Sequence, residues 1–371
     1  MNPTPTNRYE SAGVDYEVLD AGKREALATA ARTSAGALTR RGADPIDESR
    51  GEPAFAFRHG RETLATVLEC LGTKSVIARQ YVDAGGPNLF RNVGVDTVAA
   101  IVNDLICVGA LPLVVHAYFA TGSAAWYEDR SRFAALVEGW RAGCEQAGAV
   151  WGGGESPTLS GLVADADIEL AGSAVGVVPD GRVILGRELE PGDEIVLLAS
   201  SGLHSNGASL VRSVADELPA GLRTPLPSGA EFGAAALTPS LIYVPVIDAL
   251  LRSPVTITYL SHITGHGLRK LMRASRELTY RIDALPEVPE FLAQLADRAG
   301  MDPRSAYGTL NMGVGFAVFC RPGDGERVVG LAADLGYAAM IGGRVEEGPR
   351  RVVLEPLGVT FGGEELELRS T

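Results

Sequence analysis

The stretch Val95-Asp96-Thr97-Val98-Ala99-Ala100-Ile101-Val102-Asn103-Asp104 decides how this chain is read, because it sets two carboxylates and an amide into an otherwise apolar run. Wound as a helix, it places Val98, Ile101, Val102, Leu105 and Ile106 at the i, i+3, i+4, i+7, i+8 spacing of a packed stripe. Asp96, Ala100, Asn103 and Asp104 gather on the adjoining side, so a buried helix presents oxygen ligands along one edge. Blander readings stand beside that one: Asp96 caps the helix start, and Asn103 and Asp104 face water.

Upstream, Ala54-Phe55-Ala56-Phe57 after the Gly51-Glu52-Pro53 turn and the run Thr63 to Leu68 read as strands, with one helix before them near Lys23 to Leu38. The second strand runs into Glu69-Cys70-Leu71-Gly72-Thr73-Lys74, a loop with an acid, a glycine, a hydroxyl and a lysine. Downstream come a strand from Leu113 to Phe119 and an amphipathic helix carrying Phe133, Leu136, Val137, Trp140 and Cys144. It leads into Val150-Trp151-Gly152-Gly153-Gly154-Glu155-Ser156-Pro157, where three glycines let the backbone approach a ligand that any Cβ would obstruct. Two strands, near Ile168-Glu169-Leu170 and Ser173 to Val178, close this half.

At 371 residues the chain is about twice the usual size of one domain, and the polar, Pro- and Gly-bearing segment Gly186 to Asp193 marks the expected boundary. The N-terminal unit is then residues 1–185 and the C-terminal unit residues 186–371. In the second unit the strand Glu194 to Ala199 enters Ser200-Ser201-Gly202-Leu203-His204-Ser205-Asn206-Gly207 and then a helix with Leu210, Val211, Val214 and Leu218. Strand, small polar loop and helix N-terminus make a natural anion site, although an ordinary hydroxyl N-cap would look the same. A strand from Val255 to Tyr259, the loop Ser261 to Gly267 before another helix, the glycine-rich strand Met312 to Phe319, and a closing helix and strands through Leu368 complete an α/β pattern.

Lys plus Arg number 33 against 46 Asp plus Glu, a net charge of −13, with no dense basic patch to hold a nucleic-acid backbone. An acidic protein that handles phosphates must neutralise them locally, with a divalent cation, a few lysines and backbone N–H groups. The four cysteines, Cys70, Cys107, Cys144 and Cys320, lack CxxC spacing and read as reduced thiols of a cytoplasmic protein. The opening MNPTPTNRYE has no apolar h-region, and no apolar run approaches the roughly 18 to 20 residues that cross a bilayer.

His262 and His266 stand four apart, but Gly265 and Gly267 argue for a loop, where a phosphate or ribose contact, or a purely structural histidine, fits better than zinc. Neither a P-loop nor a Gly-x-Ser-x-Gly nucleophile motif around Ser201 is present. What remains is acids and glycine loops. Glu69, Asp96, Asp104 and Glu155 each end or flank an apolar element, as hard ligands gathering Mg²⁺ around a nucleoside triphosphate would. Phosphoryl transfer is the matching chemistry.

In these motifs the chain resembles the aminoimidazole ribonucleotide synthetase (phosphoribosylformylglycinamidine cyclo-ligase) family over nearly its full length. Tyr9-Glu-Ser-Ala-Gly-Val-Asp15, Gly94 to Asp104, Gly152-Gly-Gly-Glu155, Leu170 to Gly176, Ser200 to Gly207, His262-Ile-Thr-Gly265 and Asn311-Met-Gly-Val-Gly315 follow in the family's order. The resemblance implies a two-domain α/β (α+β) fold, and a homodimer whose N-terminal domains join strands into a shared β-barrel with ATP between protomers. It also implies a reaction in which ATP phosphorylates the formyl-amide oxygen of formylglycinamidine ribonucleotide and a nitrogen then displaces phosphate to close the imidazole.

On that mapping Glu69, Asp104 and Glu155 hold Mg²⁺. Glu69, Gly72, Thr73, Lys74, Asp96, Asn103, Asp104, Gly153, Gly154 and Glu155 form the ATP side, and Ser201, Gly202, His204, Ser205, Asn206, His262, Thr264 and Gly265 the ribonucleotide side. Lys74, Asp104, Glu155 and His262 are the residues expected to carry the chemistry.

Three positions depart from the family pattern. Glu69-Cys70-Leu71-Gly72-Thr73-Lys74 replaces Asp-Gly-Val-Gly-Thr-Lys, so a positive φ at Cys70 would cost on the order of 1–3 kcal/mol and the loop is expected to be re-shaped. Gly51-Glu-Pro-Ala-Phe-Ala-Phe57 stands where a Gly-Gly-Phe-Gly segment is usual, and His266 where a glycine is usual. The alternatives are an ATP-dependent enzyme of the same superfamily with another acceptor, as in its selenophosphate and thiamine-phosphate branches, and a nucleotide-binding paralogue without turnover.

Overall fold

The computed structural model describes residues 16–33 and 36–366, so Tyr9 to Asp15 and Leu368 lie outside the described residues. Each half of the chain builds one sheet. The first has β1 (Ala43–Ile46), β2 (Phe55–His59), β3 (Glu62–Cys70), β4 (Leu111–Thr121), β5 (Val150–Glu155) and β6 (Ile168–Val177), in the order β1-β2-β3-β6-β4-β5. All neighbours are antiparallel except β4 and β5. The two short strands expected between Ile168 and Val178 are one continuous β6, in which Ile168, Leu170, Gly172, Ala174 and Gly176 all turn to the covered face.

The longer helices of the first half are α1 (Tyr16–Ala31), α2 (Lys74–Asp83), α3 (Phe90–Leu105) and α4 (Arg130–Gln146). The decisive helix α3 starts six residues before Asp96, so that acid is no cap but an interior residue. Its expected stripe is buried: Val98, Ile101, Val102, Leu105 and Ile106 are all fully enclosed. Helix α4 lies across α3 with Trp140 edge-on to Phe119 of β4, ring centroids 5.2 Å apart. The two backbones meet at Gly94 and Gly139, where a Cβ would overlap the carbonyl oxygens of Leu136 and Arg91 respectively.

The second sheet comprises β7 (Glu194–Ala199), β8 (Ile257–His262), β9 (Leu278–Ile282), β10 (Val314–Cys320), β11 (Ala339–Glu347), β12 (Arg351–Leu354) and β13 (Val359–Gly362), ordered β13-β12-β9-β11-β7-β10-β8. Around it stand α5 (Ala208–Glu217), α6 (Val244–Leu251), α7 (Glu290–Arg298) and α8 (Gly325–Asp334). Strand β8 ends the sheet, yet every one of its residues is buried, because the Ile106–Val108 turn that follows α3 packs against it. That contact brings the end of α3 to the end of β8.

Overpacking at the α3/α4 crossing has no relief, since the atoms in the way are backbone. Gly139→Ala is expected to lower unfolding free energy by about 1–3 kcal/mol, read as a shift of the denaturant midpoint at constant m-value.

Candidate functional site

The polar edge of α3 divides into two parts with different tasks. Its first part faces main chain of the second half: Asn92 Nδ2 donates to the Leu237 carbonyl at 2.9 Å, and Asp96 Oδ1 accepts the Ser240 N–H at 2.7 Å and the Ser240 hydroxyl at 2.5 Å. Asn103 Oδ1 accepts the Tyr243 N–H at 2.9 Å while its Nδ2 donates to the Leu241 carbonyl at 2.8 Å. Lys74, at the start of α2, sets its ammonium 2.7 Å from Asp96 Oδ2 and 2.7 Å from the His204 carbonyl oxygen, with neither side chain of the ion pair exposed. Burial pushes the Asp96 carboxyl upward, and Lys74 with the Ser240 bonds opposes it.

This geometry corrects three expectations. Lys74, Asp96 and Asn103, read as phosphate and nucleotide contacts, are engaged at the seam between the two halves and do not line the cavity that holds Asp104. The physical reason is that a helix edge specifies a side and not what faces it, and here the orphan groups of residues 237–243 face it. The sequence reading also took residues 69–74 for a loop throughout and missed α2, which begins at Lys74.

The second part of the edge, Ala100 and Asp104, opens on a cavity of about 530 Å³ between the halves. Asp104 Oδ1 lies 2.6 Å from His262 Nδ1 at the end of β8. Glu69, near the end of β3, lines the same cavity as Asp104. Burial and the Asp104 charge push Glu69 up to about 8. Burial would raise Asp104 as well, but the His262 hydrogen bond and charge, with Lys270 and Arg273, hold it down at about 2.

Gly72, Thr73, Ser205, Asn206, Thr264 and Gly265, read as nucleotide and ribonucleotide contacts, also line the cavity. Gly207, Ala208 and Ser209 bring to it the N-terminus of α5, whose first N–H groups have no side-chain cap and are therefore available to an anion. The left-handed residue of the 69–74 segment is Gly72 (φ 69°), so Cys70 continues the strand without strain.

Ser201, Gly202 and His204 do not reach the cavity. Ser201 donates to the Pro239 carbonyl at 2.5 Å, the Gly202 carbonyl accepts from Asn311, and buried His204 accepts the Ser201 N–H at 3.2 Å. Burial drives the His204 ring well below its ordinary value, so it is neutral.

Glu155, Gly153 and Gly154 are likewise elsewhere, exposed on the edge strand β5, where Glu155 accepts the N–H of Ser156 at 3.0 Å. Glu155 is not among the residues lining the cavity that holds Asp104. Gly154 is needed for packing, since a Cβ there would overlap the Ala117 carbonyl of β4. Of the three carboxylates expected to hold a metal, two therefore meet. No cluster of three or more His, Cys, Asp or Glu suited to a metal occurs among the described residues. The Glu69–Asp104 pair fits a hard divalent cation of the Mg²⁺ kind, which takes one or two carboxylates and completes its shell with phosphate and water oxygens.

The sequence reading missed the cavity's basic and N-terminal lining. Lys270 and Arg273 follow the Ser261–Gly267 loop on the short helical turn Gly267–Met272 and its end, and their i, i+3 spacing just after a glycine loop was the available signal. Burial and Arg273 push the Lys270 ammonium down to about 8. Lys23 of α1 lines the mouth, and Asp20 on the same helix holds His266 at 2.9 Å, which gives that unexpected histidine a tethering role.

Two family models match the chain: AIR synthase related protein, N-terminal domain, over residues 51–178, and AIR synthase related protein, C-terminal domain, over residues 190–355. The chain is 34% identical over 328 residues to the phosphoribosylformylglycinamidine cyclo-ligase of Methanothermobacter thermautotrophicus, covering 88% of this chain and 91% of that one. To the protein of the same name from Chromobacterium violaceum it is 33% identical over 350 residues, covering 94% and 97%. Among solved structures it resembles AaThiL complexed with AMPPCP and TMP, with a TM-score of 0.58 at 16% identity over 83% of this chain and 89% of that one. Hydrogenase maturation protein HypE in complex with ATP follows at 0.57 and 19%, over 80% and 83%. At these identities the structural likeness speaks for the fold.

The seam makes a prediction of its own. Lys74→Met leaves the Asp96 carboxylate buried without its cation and is expected to cost about 3–5 kcal/mol in chemical denaturation, whereas Lys74→Met combined with Asp96→Leu should recover most of that loss.

Proposed function

The chain belongs to the AIR synthase related family, and on that premise we propose that it is a cyclo-ligase. In this reading it converts formylglycinamidine ribonucleotide to aminoimidazole ribonucleotide with release of ADP and phosphate, using ATP and Mg²⁺ as a step of purine biosynthesis. The observation that carries the reading is the Glu69–Asp104 pair, fixed by His262 and placed opposite the uncapped N-terminus of α5 in one cavity. The relatives named as cyclo-ligases over most of the chain supply the reaction.

The chemistry asks for little covalent participation by the protein. The formyl-amide oxygen of the acceptor bonds to the γ-phosphorus as the bond to the β,γ-bridging oxygen breaks and ADP leaves. The acceptor's amino nitrogen then attacks the activated carbon, phosphate departs, and a proton is lost from nitrogen. Mg²⁺, held by Asp104 and Glu69, supplies neutralisation of the phosphate charge. His262 keeps Asp104 ionised and aimed, the N–H groups of residues 207–209 receive phosphate oxygens, and Ser205, Asn206 and Thr264 offer donors and acceptors that orient the ribonucleotide. The protein need only hold the partners in line.

The same reading takes residues 1–185 as the ATP-binding and dimerisation unit, residues 186–371 as the synthetase unit, and the protein as a cytoplasmic homodimer. Support for self-association is the outer face of the first sheet, where Leu68, Leu113 and Val150 are 74%, 45% and 66% exposed beside the free edge of β5. A dimer would also give exposed Glu155 a partner surface. The second reading, an enzyme with another acceptor or a binding paralogue, is favoured by one observation: Lys74 and Glu155, both expected to carry chemistry, are absent from the cavity lining.

With formylglycinamidine ribonucleotide, ATP and Mg²⁺, the purified protein is expected to release ADP and aminoimidazole ribonucleotide in equal amounts; ADP release only with a different acceptor would select the second reading. Asp104→Asn should lower kcat by about 10²-fold or more with the fold intact by circular dichroism. Because Glu69 holds its proton up to about pH 8, Mg²⁺ must displace that proton to bind. Calorimetric Mg-nucleotide affinity should therefore rise from pH 6.5 to 8 and level off above, and Glu69→Gln should flatten the rise.

A further inference from the structure

The chain has three lysines, and the structure treats them differently: Lys23, at the cavity mouth, pairs with Asp20 at 3.5 Å. The Lys74 ammonium is spent: it sits between the Asp96 carboxylate and the His204 carbonyl, with no surface left to present. Lys270 lines the cavity itself and is only 8% exposed. Among the described residues its ammonium makes no hydrogen bond and no ion pair; its backbone carbonyl is what Ser261 binds. Its neighbour Arg273 is committed, donating twice to the Gly51 carbonyl.

Burial and the Arg273 charge work against the Lys270 ammonium, and Asp104 and Glu69 oppose them by charge alone, with no hydrogen bond made to it among the described residues. Such a group is maintained when a ligand completes it. The surroundings say which ligand: Asp104 and Glu69 share the cavity with Lys270, and the uncapped α5 N-terminus closes another side of it. An anion that bridges a carboxylate-held cation, an ammonium and helix N–H groups is a phosphate.

We propose that Lys270 is the phosphate-binding lysine of the cavity, in the role that the sequence assigned to Lys74. The inference rests on the reading of this cavity as the site of phosphoryl chemistry, and it concerns a phosphate of either the nucleotide or the acceptor. Both present the same oxygen dianion.

Two probes separate the sources without turnover. Tripolyphosphate with Mg²⁺ stands for the nucleotide, and ribose 5-phosphate for the acceptor; each is titrated calorimetrically into the full-length protein. Wild type is expected to bind at least one, and Lys270→Met to bind that one at least tenfold more weakly, with Lys270→Arg within about threefold of wild type. Loss of tripolyphosphate binding assigns the nucleotide, and loss of ribose 5-phosphate binding assigns the acceptor. The KM of the corresponding substrate should rise in step.

Should Lys270→Met fail to fold, reductive methylation of the wild type, mapped by mass spectrometry, replaces it: the effective probe must slow labelling of Lys270. Affinities for both probes within twofold of wild type in Lys270→Met, or no probe binding by wild type, would overturn the proposal. Absence of cyclo-ligase turnover beside Lys270-dependent probe binding would instead overturn the assigned reaction and leave the lysine's role standing.

Discussion

A carboxylate enclosed on every side holds the two halves of this protein together. Asp96 stays inside only because Lys74 neutralises it and Ser240 donates to it twice, once from the backbone and once from the hydroxyl. Each partner comes from a different element, α2, α3 and the segment before α6, so the pair forms only when all three are in place. Burying both charges is no bargain in stability compared with an apolar contact. What it supplies is register: α3 can dock on residues 237–243 in one way, and that docking carries Asp104 to His262.

On the proposed function, the cavity that results lets a protein of net charge −13 handle phosphates. No broad positive field is required. Burial and the Asp104 charge push the Glu69 carboxyl up while His262 holds Asp104 down, and a helix N-terminus contributes partial positive charge from backbone alone. Lys270 and Arg273 add positive charge close to the acids, where low dielectric makes each charge count for more than it would in water.

Much of this was legible in the residues. The 3.6-residue period identified the buried face of α3, and the strand-loop-helix pattern around Ser200 to Gly207 and the loop from His262 picked out segments of which Ser205, Asn206, Gly207, His262, Thr264 and Gly265 line the cavity. The polar edge of α3 was also found, but not its division. Spacing within one helix cannot tell Asp96 from Asp104, because the difference lies in what another part of the chain brings against each. Glu155 misled for a related reason: three glycines before an acid look like a ligand cradle, while at least Gly154 lets β5 lie close to β4. Lys270 was overlooked because its i, i+3 pairing with Arg273 spans a single turn, too short to stand out as a period.

The seam recognises residues 237–243 mainly through their main chain, at the Leu237 and Leu241 carbonyls and the Ser240 and Tyr243 N–H groups. Ser240 alone adds its side chain to the recognition by α3. The two sides of the joint are therefore constrained differently: Leu237, Ile242 and Tyr243 answer to the core that buries their side chains, whereas Asn92, Asp96 and Asn103 answer to the path of the segment they read, since an amide or carboxylate reading a peptide group has few substitutes of equal reach.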